Sequence, residues 1–313
     1  MRYRSFGASD LDASVIGLGV WNLTGRWGED GPAPVPDDQA LRLLRCALDL
    51  GVTFFDTADA DGGDGRGERL LGHAVRGRRD EVTIATKFGF DVWSPRQFGG
   101  RREVVQDWSP GYAGRALDRS LQRLGTEPID LWQLHHPRMD AIDADELFAF
   151  LDEQVVKGKI RHYGVALGPG HAGVDEGVAA LRGRGGVVAA QAAYSLAAQD
   201  PGRELAAVAV ETGTGLVARV PPVPAGLADR LGFLWRDRDQ TLAQAALCFV
   251  LATDGVTTAV PELAGEEDLA ELAAAADLPA PTADDLDRIA ELREGGGLRV
   301  ELSATTNPGG DGR

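Results

Sequence analysis

Short apolar runs and longer amphipathic stretches alternate along the whole chain. The apolar runs are rich in Val, Ile and Leu and have the length typical of buried parallel strands. They lie at 14–20, 52–56, 82–87, 129–135, 162–167, 187–191, 215–219 and 256–260. Between these runs, apolar residues recur every three to four positions, which predicts amphipathic helices, several of them followed by Gly.

This alternation predicts eight strand–helix units, and eight such units in one chain form a (β/α)8 barrel, also called a TIM barrel. A doubly wound open sheet is the alternative, but it would need a G-x-G-x-x-G turn after the first strand. The chain has GLGVWNLTGRWG there, with its glycines at a different spacing. We therefore expect one barrel domain over 1–294, including an extra C-terminal helix, and a flexible tail over 295–313.

The net charge of the chain limits the classes of molecule that we expect it to bind. The 313 residues include 32 basic and 48 acidic side chains, which gives a formal net charge of −16. Such a surface repels phosphate backbones and anionic lipid, so we expect no nucleic-acid or membrane partner and a small-molecule substrate instead. Two cysteines in apolar helical patterns and an N-terminus without the apolar stretch of a signal peptide predict a cytoplasmic protein. The oligomeric state stays open.

Polar side chains stand at the ends of three successive predicted strands. Asp56 ends the second strand, Lys87 the third and His135 the fourth. The carboxyl ends of neighbouring barrel strands meet at one face, where barrel enzymes carry their active sites. An acid, an ammonium and an imidazole that converge there predict a site for acid–base chemistry.

The segments around these positions resemble the aldo-keto reductase family. They are FFDTAD, RGERLLGHAV, ATKFGF, LGTEPIDLWQLHHP, GKIRHYGV and QAAY, in the family's order over nearly the whole chain. The resemblance implies a (β/α)8 barrel that passes hydride from NADPH to a carbonyl group and uses an Asp, Tyr, Lys, His tetrad. Asp56, Lys87 and His135 occupy three of the four tetrad positions.

The fourth tetrad position departs from the family. The family pattern is F-D-T-A-x-x-Y-G, whereas this chain reads F-D-T-A-D-A-D-G, so Asp61 replaces the proton-donating tyrosine. A tyrosine with a reference pKa of about 10 keeps its proton at neutral pH, and an aspartate with a pKa of about 3.9 does not. Beside Lys87 we expect the Asp61 carboxylate to be held ionised even more firmly.

The positions that hold the cofactor in the family also differ. Its Ser and Asn after the fifth strand are Ala166 and Leu167 here, although Gln191 remains as a carboxamide partner. After the eighth strand, the family's 2′-phosphate clamp has a Gly, a basic residue and an Asn; the corresponding residues are Glu262, Ala264 and Leu272. The candidates that remain for contacts with a cofactor are Gln191, Tyr194 and Arg219.

With the donor, the carboxamide clamp and the phosphate clamp all altered, the leading hypothesis is an enzyme that has lost NADPH-dependent reduction. It would perform cofactor-independent acid–base chemistry (dehydration, isomerisation or cyclisation) on a small carbonyl-containing metabolite, as in specialised metabolism. The catalytic residues in this hypothesis are Asp56, Asp61, Lys87 and His135. No cofactor is preferred, and NADPH is the alternative cofactor. The alternative functions are an NAD(P)H-dependent reductase with an altered proton donor and a non-catalytic barrel scaffold.

The remaining predictions concern the walls of the pocket. Two connections, 88–111 and 220–238, are longer than usual for such units, and long loops at this face shape substrate pockets. The expected pocket residues are Trp21, Trp93, Trp108 and Trp235. Strand alternation turns His136 away from His135. No histidines stand at metal-ligand spacing, so no metal site is predicted.

Overall fold

The structure is a computed structural model, which describes residues 1–25, 33–94, 96–98, 101–169, 173–263 and 265–298. Its centre is an eight-stranded parallel sheet whose strands pair in chain order. These strands are β3 (Leu18–Gly19), β4 (Phe54–Asp56), β5 (Thr83–Phe88), β8 (Ile129–His135), β9 (Ile160–Ala166), β10 (Val187–Ala193), β11 (Gly215–Val220) and β12 (Val256–Pro261). A bridge between Ala259 and Ile16, two residues before β3, joins the last strand to the start of the first, which confirms the predicted barrel.

Helices separate the strands. They are α1 (Trp21–Thr24), α2 (Asp37–Asp49), α3 (Arg66–Ala74), α4 (Pro110–Leu124), α5 (Met139–Ile142), α6 (Asp145–Val156), α7 (Val174–Gly183), α8 (Gly202–Thr212), α9 (Leu242–Leu251), α10 (Glu266–Ala274) and α11 (Ala283–Glu294). The long helices bury the faces that the sequence pattern predicts, as Leu43, Leu44 and Ala47 of α2 show. Within the described ranges, no helix is both long and apolar enough to cross a membrane.

Two hairpins lie outside the predicted units. β1 (Tyr3–Ser5) pairs with β2 (Asp12–Ser14), and β6 (Arg96–Phe98) pairs with β7 (Arg101–Glu103) inside the long connection after β5. Short strands of this kind have too few residues to show a clear hydrophobic period.

The first hairpin closes the bottom of the barrel. Phe6 and Leu11 of the hairpin region are fully buried and pack with one inward-facing apolar residue from each of six barrel strands. Those six are Phe54, Ala85, Leu131, Ala189, Val217 and Val260. The amino-terminal end of the barrel is therefore filled, and the opposite end is left for chemistry.

The chain stays packed slightly beyond the predicted domain end. Leu298 is buried, and Arg230 donates a hydrogen bond to the carbonyl of Gly297. Residues 295–298 therefore lie against the barrel. The rest of the predicted tail, 299–313, lies outside the described residues.

Candidate active site

A layer of polar side chains sits directly above the apolar layer of the barrel. Successive inward-facing residues of a strand are two positions apart, so each residue of this layer follows an apolar core residue by two. The polar layer consists of Asp56, Lys87, Gln133, Gln191 and Arg219. Neighbouring strands hold these residues in fixed register, as the pairing of Lys87 with Gln133 shows.

Asp56 and Lys87 form the centre of this layer. The Nζ atom of Lys87 lies 2.7 Å from Oδ2 of Asp56 and also donates to the carbonyl of Thr57 at 2.8 Å. The side-chain amide of Gln191 donates to Oδ2 of Asp56 at 2.8 Å, and that of Gln133 to Oδ1 at 3.3 Å. Both ion-pair partners are buried, so two charges are paired and hydrogen-bonded inside the barrel.

A cavity of about 320 Å3 opens above the ion pair. The polar residues on its wall are Asp61, Lys87, His135, His136, Gln191, Arg219 and Glu262. Trp21 also lines it, with its ring centroid 5.6 Å from Nζ of Lys87. The structure thus brings the four predicted catalytic residues together, three on the cavity wall and Asp56 beneath it.

Asp61 begins a short turn, Asp61–Gly63, that follows β4. Its Oδ2 atom accepts hydrogen bonds from the Thr57 hydroxyl at 2.9 Å and from the backbone N–H of Ala58 at 2.8 Å. Burial raises the pKa of Asp61 to about 6, against the opposing charge of Lys87. The expectation of a firmly ionised carboxylate is therefore wrong, because desolvation of Asp61 outweighs the attraction of the Lys87 ammonium.

Two imidazoles lie side by side on the cavity wall. Burial lowers the pKa of His135 well below its usual value, and it lowers that of His136 to about 3. Their rings are 4.5 Å apart between centroids. The prediction that His136 points away fails because its backbone has φ 55°, which breaks the strand alternation at that residue. Both side chains are neutral near pH 7.

Sequence reasoning gave no role to two buried polar residues beside this site. Gln133 holds Asp56, and its position two residues before His135 on an inward-facing strand pattern could have revealed it. Asp59 is fully buried, and neither of its carboxylate oxygens has a hydrogen-bond partner among the described residues. Burial and the nearby Glu68 raise the pKa of Asp59 well above its usual value. The folded protein therefore holds a proton on Asp59 more tightly than an exposed aspartate would.

The candidate cofactor residues have different surroundings. Gln191 lines the cavity, and its Oε1 atom is buried without a hydrogen-bond partner among the described residues. Arg219 also lines the cavity, as do Ala166 and Leu167, and it donates a hydrogen bond to the carbonyl of Leu167. The Tyr194 ring is buried elsewhere, packed on Phe249, with its hydroxyl hydrogen-bonded to Thr253.

A second, mainly apolar groove of about 430 Å3 adjoins the cavity between β11, β12 and helices α9 and α10. Val220, Pro221 and Glu262 line both spaces. Leu272 is buried in the floor of the groove, and Glu262 is exposed at its rim. Ala264 lies outside the described residues.

Of the four predicted pocket tryptophans, Trp21 lines the cavity. Trp93 is covered by the Arg119 guanidinium, 4.1 Å from its ring, and Trp108 packs edge-on against Phe88. Trp235 donates to the carbonyl of Ala228 within its own loop. These three rings anchor the long loops. Across the described ranges, no cluster of three or more His, Cys, Asp or Glu side chains could hold a metal ion.

Comparison with known proteins shows where this architecture recurs. The model of the Aldo/keto reductase family matches residues 15–294. The holo form of aldo-keto reductase AKR11C1 from Bacillus halodurans has a similar structure, with a TM-score of 0.74 and 29% sequence identity. The match covers 93% of this chain and 96% of that one.

Curated relatives match over a shorter stretch. The uncharacterized oxidoreductase YqkF of Bacillus subtilis is 36% identical over 166 residues, 53% of this chain and 49% of that protein. A 6-dehydroglucose reductase of Novosphingobium aromaticivorans is 36% identical over 172 residues, 52% of this chain and 51% of that protein. The chain thus spans about half the length of the curated relatives that it matches.

These relatives overturn the leading functional hypothesis. They are named oxidoreductases and reductases, which supports an enzyme of redox chemistry and not a cofactor-independent lyase or isomerase. The hypothesis rested on changes in the donor, the carboxamide clamp and the phosphate clamp together, and its argument about the donor was that Asp61 could not give a proton. With a pKa of about 6, the Asp61 carboxyl group is still protonated in a fraction of the molecules near neutral pH.

Replacing Lys87 by Met tests the buried ion pair. We expect the free energy of unfolding to fall by about 3–5 kcal/mol, because Asp56 would keep an uncompensated buried charge. Urea denaturation at pH 7 measures the change. The matched control is Asp56→Asn/Lys87→Met, which removes both charges and should recover most of the loss. A stable single variant would show that the pair is not what holds this layer.

Asp61 should make stability depend on pH. The folded state holds the Asp61 proton more tightly than the unfolded chain, so its stabilisation is complete below pH 3.8 and lost as pH rises through about 6. Asp61→Asn keeps an acceptor for Ala58 but cannot titrate. Above pH 7 it should be more stable than the unmodified protein by about 1–3 kcal/mol. If the free energies of unfolding of Asp61→Asn and of the unmodified protein change in parallel from pH 4 to 8, the pKa of Asp61 is not raised.

Proposed function

The chain belongs to the aldo-keto reductase family, and from that premise we propose that it is an NAD(P)H-dependent carbonyl reductase in which Asp61 supplies the proton. The observation that carries this proposal is the partly buried Asp61 carboxyl group, with a pKa of about 6, on the wall of the cavity above Asp56 and Lys87. A carbonyl reductase needs an acid that is partly protonated near its working pH, and Asp61 meets that requirement.

The hydrogen bonds of Asp61 indicate which oxygen holds the proton. Oδ2 already accepts from Thr57 and Ala58, so the protonated form carries its hydrogen on Oδ1. Thr57 and Ala58 follow β4 directly, so this turn fixes the carboxyl group next to the rigid end of a barrel strand.

The residues present fit a nicotinamide group. The orphaned Oε1 of Gln191 is a buried acceptor at the cavity wall, suited to the N–H donors of a carboxamide. The adjoining apolar groove, lined by Val223, Leu242 and Leu263 among others, has the volume and lining for an aromatic base.

When bound, the reduced nicotinamide cofactor supplies hydride to the carbonyl carbon of the substrate. The neutral imidazole of His135 donates a hydrogen bond that orients the carbonyl oxygen, and Asp61 gives that oxygen a proton. Lys87, fixed by Asp56, adds positive charge beside the oxygen as negative charge develops on it. The apolar walls at Ala166 and Leu167 exclude water from this place.

Charge at the groove favours a cofactor without a 2′-phosphate. Glu262, Asp268 and Glu271 all line the groove. The first turn of α10 carries Glu266, Glu267 and Asp268, so its own carboxylates already compensate the positive end of the helix dipole. A phosphate dianion is repelled there, whereas ribose hydroxyls can donate to these carboxylates.

The proposed donor predicts an unusual pH profile. With an NADH-dependent aldehyde reduction, kcat should fall as pH rises through about 6, because Asp61 loses its proton there. Asp61→Asn should lower kcat by about a hundredfold or more, since an amide has no proton to transfer at neutral pH. Steady-state rates between pH 5 and 9 measure both effects.

Asp61→Tyr is the matched control for that profile. A tyrosine, with its reference pKa near 10, should restore reduction and carry it to higher pH than the unmodified protein. Loss of the low-pH preference in both Asp61 variants would confirm the assignment. If kcat of Asp61→Asn still falls as pH rises through about 6, the proton comes from another group.

Cofactor preference is a separate test. We expect NADH to bind at least about tenfold more tightly than NADPH, because of the carboxylates that line the groove. Quenching of tryptophan fluorescence during titration gives both dissociation constants without any turnover. Glu262→Gln removes one negative charge and should reduce the difference between the dissociation constants for NADH and NADPH. Tighter binding of NADPH than NADH would contradict the electrostatic argument.

A further inference from the structure

The Arg219 side chain is held in a fixed orientation on the cavity wall. It is the inward-facing residue at the end of β11, two positions after the core residue Val217. Its Nη2 atom donates to the carbonyls of Leu167 at 2.8 Å and Gly168 at 3.3 Å, which fixes the plane of the guanidinium group. Its Nε atom is buried, and no acceptor for it exists among the described residues.

The positive charge of Arg219 also lacks a close counterion. No carboxylate of the described residues lies within ion-pair distance of it: Asp56 is engaged by Lys87, and Glu262 is exposed at the rim. Burial lowers the pKa of Arg219, which expresses the cost of holding this charge away from water. Arg219 is partly buried and its Nε donor is unused by the described residues, so an anion in the cavity would supply both the missing acceptor and a counterion.

The location of the guanidinium group limits which anion completes it. Its charge acts on both imidazoles, since it contributes to the lowered pKa values of His135 and His136. The group therefore lies near the place where the carbonyl is oriented. The cavity of about 320 Å3 admits only a small molecule there.

We propose that Arg219 binds a carboxylate group of the substrate, so that the substrate is a small aldehyde or ketone that also carries a carboxylate. A guanidinium group suits this role because its planar array of N–H donors matches carboxylate geometry. The inference rests on the proposed reductase function and adds the chemical class of its substrate. Arg219 is in this view a specificity-determining residue.

Paired substrates test this class. Pyruvate and 4-oxobutanoate are each compared with their methyl esters, with NADH as reductant. The unmodified protein should show kcat/KM at least about tenfold higher for the acid than for the ester. Arg219→Gln should remove this preference, because KM for the acids should rise at least about tenfold more than KM for the esters. Arg219→Lys keeps the positive charge but lacks the planar array of N–H donors, so it should retain part of the preference for acids.

Arg182→Gln is the matched control, because Arg182 is an exposed arginine paired with Glu211 on the outside of the barrel. It should leave all the kinetic constants unchanged. Equal kcat/KM for acids and esters in the unmodified protein would overturn the proposal. A preference for acids that survives in Arg219→Gln would overturn it as well.

A binding measurement separates this proposal from the reductase function. Calorimetric titration with oxamate and succinate needs neither turnover nor cofactor, and Arg219→Gln should weaken their binding at least about tenfold. If Arg219→Gln weakens carboxylate binding but the unmodified protein reduces none of the substrates, the carboxylate site is supported and the proposed reductase function is refuted. Failure of both carboxylates to bind the unmodified protein would refute the site. Weaker NADH binding in Arg219→Gln, with carboxylate binding unchanged, would assign the guanidinium to the cofactor's phosphates and refute the substrate assignment.

Discussion

The buried ion pair between Asp56 and Lys87 is the interaction on which the site depends. Two opposite charges, 2.7 Å apart, are stable inside the barrel because the side-chain amides of Gln133 and Gln191 also hold the carboxylate. Removal of either charge would leave the other buried and unpaired. The pair therefore fixes the polar layer and sets the electrostatic conditions for every group above it.

Asp61 shows how burial and pairing combine in this protein. A lysine nearby would normally keep an aspartate ionised, and the charge of Lys87 does lower the pKa of Asp61. Desolvation then dominates and raises the pKa of Asp61 to about 6. The proposed role of Asp61 as an acid depends on this balance, in which its surroundings limit its contact with water.

Charge is distributed unevenly over the open end of the barrel. On the groove side, Glu262, Asp268 and Glu271 supply negative charge at the surface. Inside the cavity, Arg219 supplies a positive charge without a close counterion. The two regions are adjacent but suit different groups: hydroxyl donors in the groove, and an anion near the two histidines. The net charge of −16 conceals this local contrast.

The sequence by itself determined the fold and the three strand-end residues of the site. Eight short apolar runs separated by amphipathic stretches leave little freedom other than a barrel, and Asp56, Lys87 and His135 stand at recognisable strand ends. The hairpin below the barrel and Gln133 escaped notice, because the hairpin strands are too short for a period and Gln133 lies inside an apolar run.

Only the tertiary structure decided the protonation states and the walls of the cavity. A pKa depends on the water that neighbouring segments exclude, and those segments come from distant parts of the chain, as at Asp61. The left-handed backbone at His136 and the separate packing of Trp93 and Trp108 also arise from long-range contacts. Hydrophobic period is local in sequence and fixes the elements, whereas burial of a charge is a property of the assembled barrel.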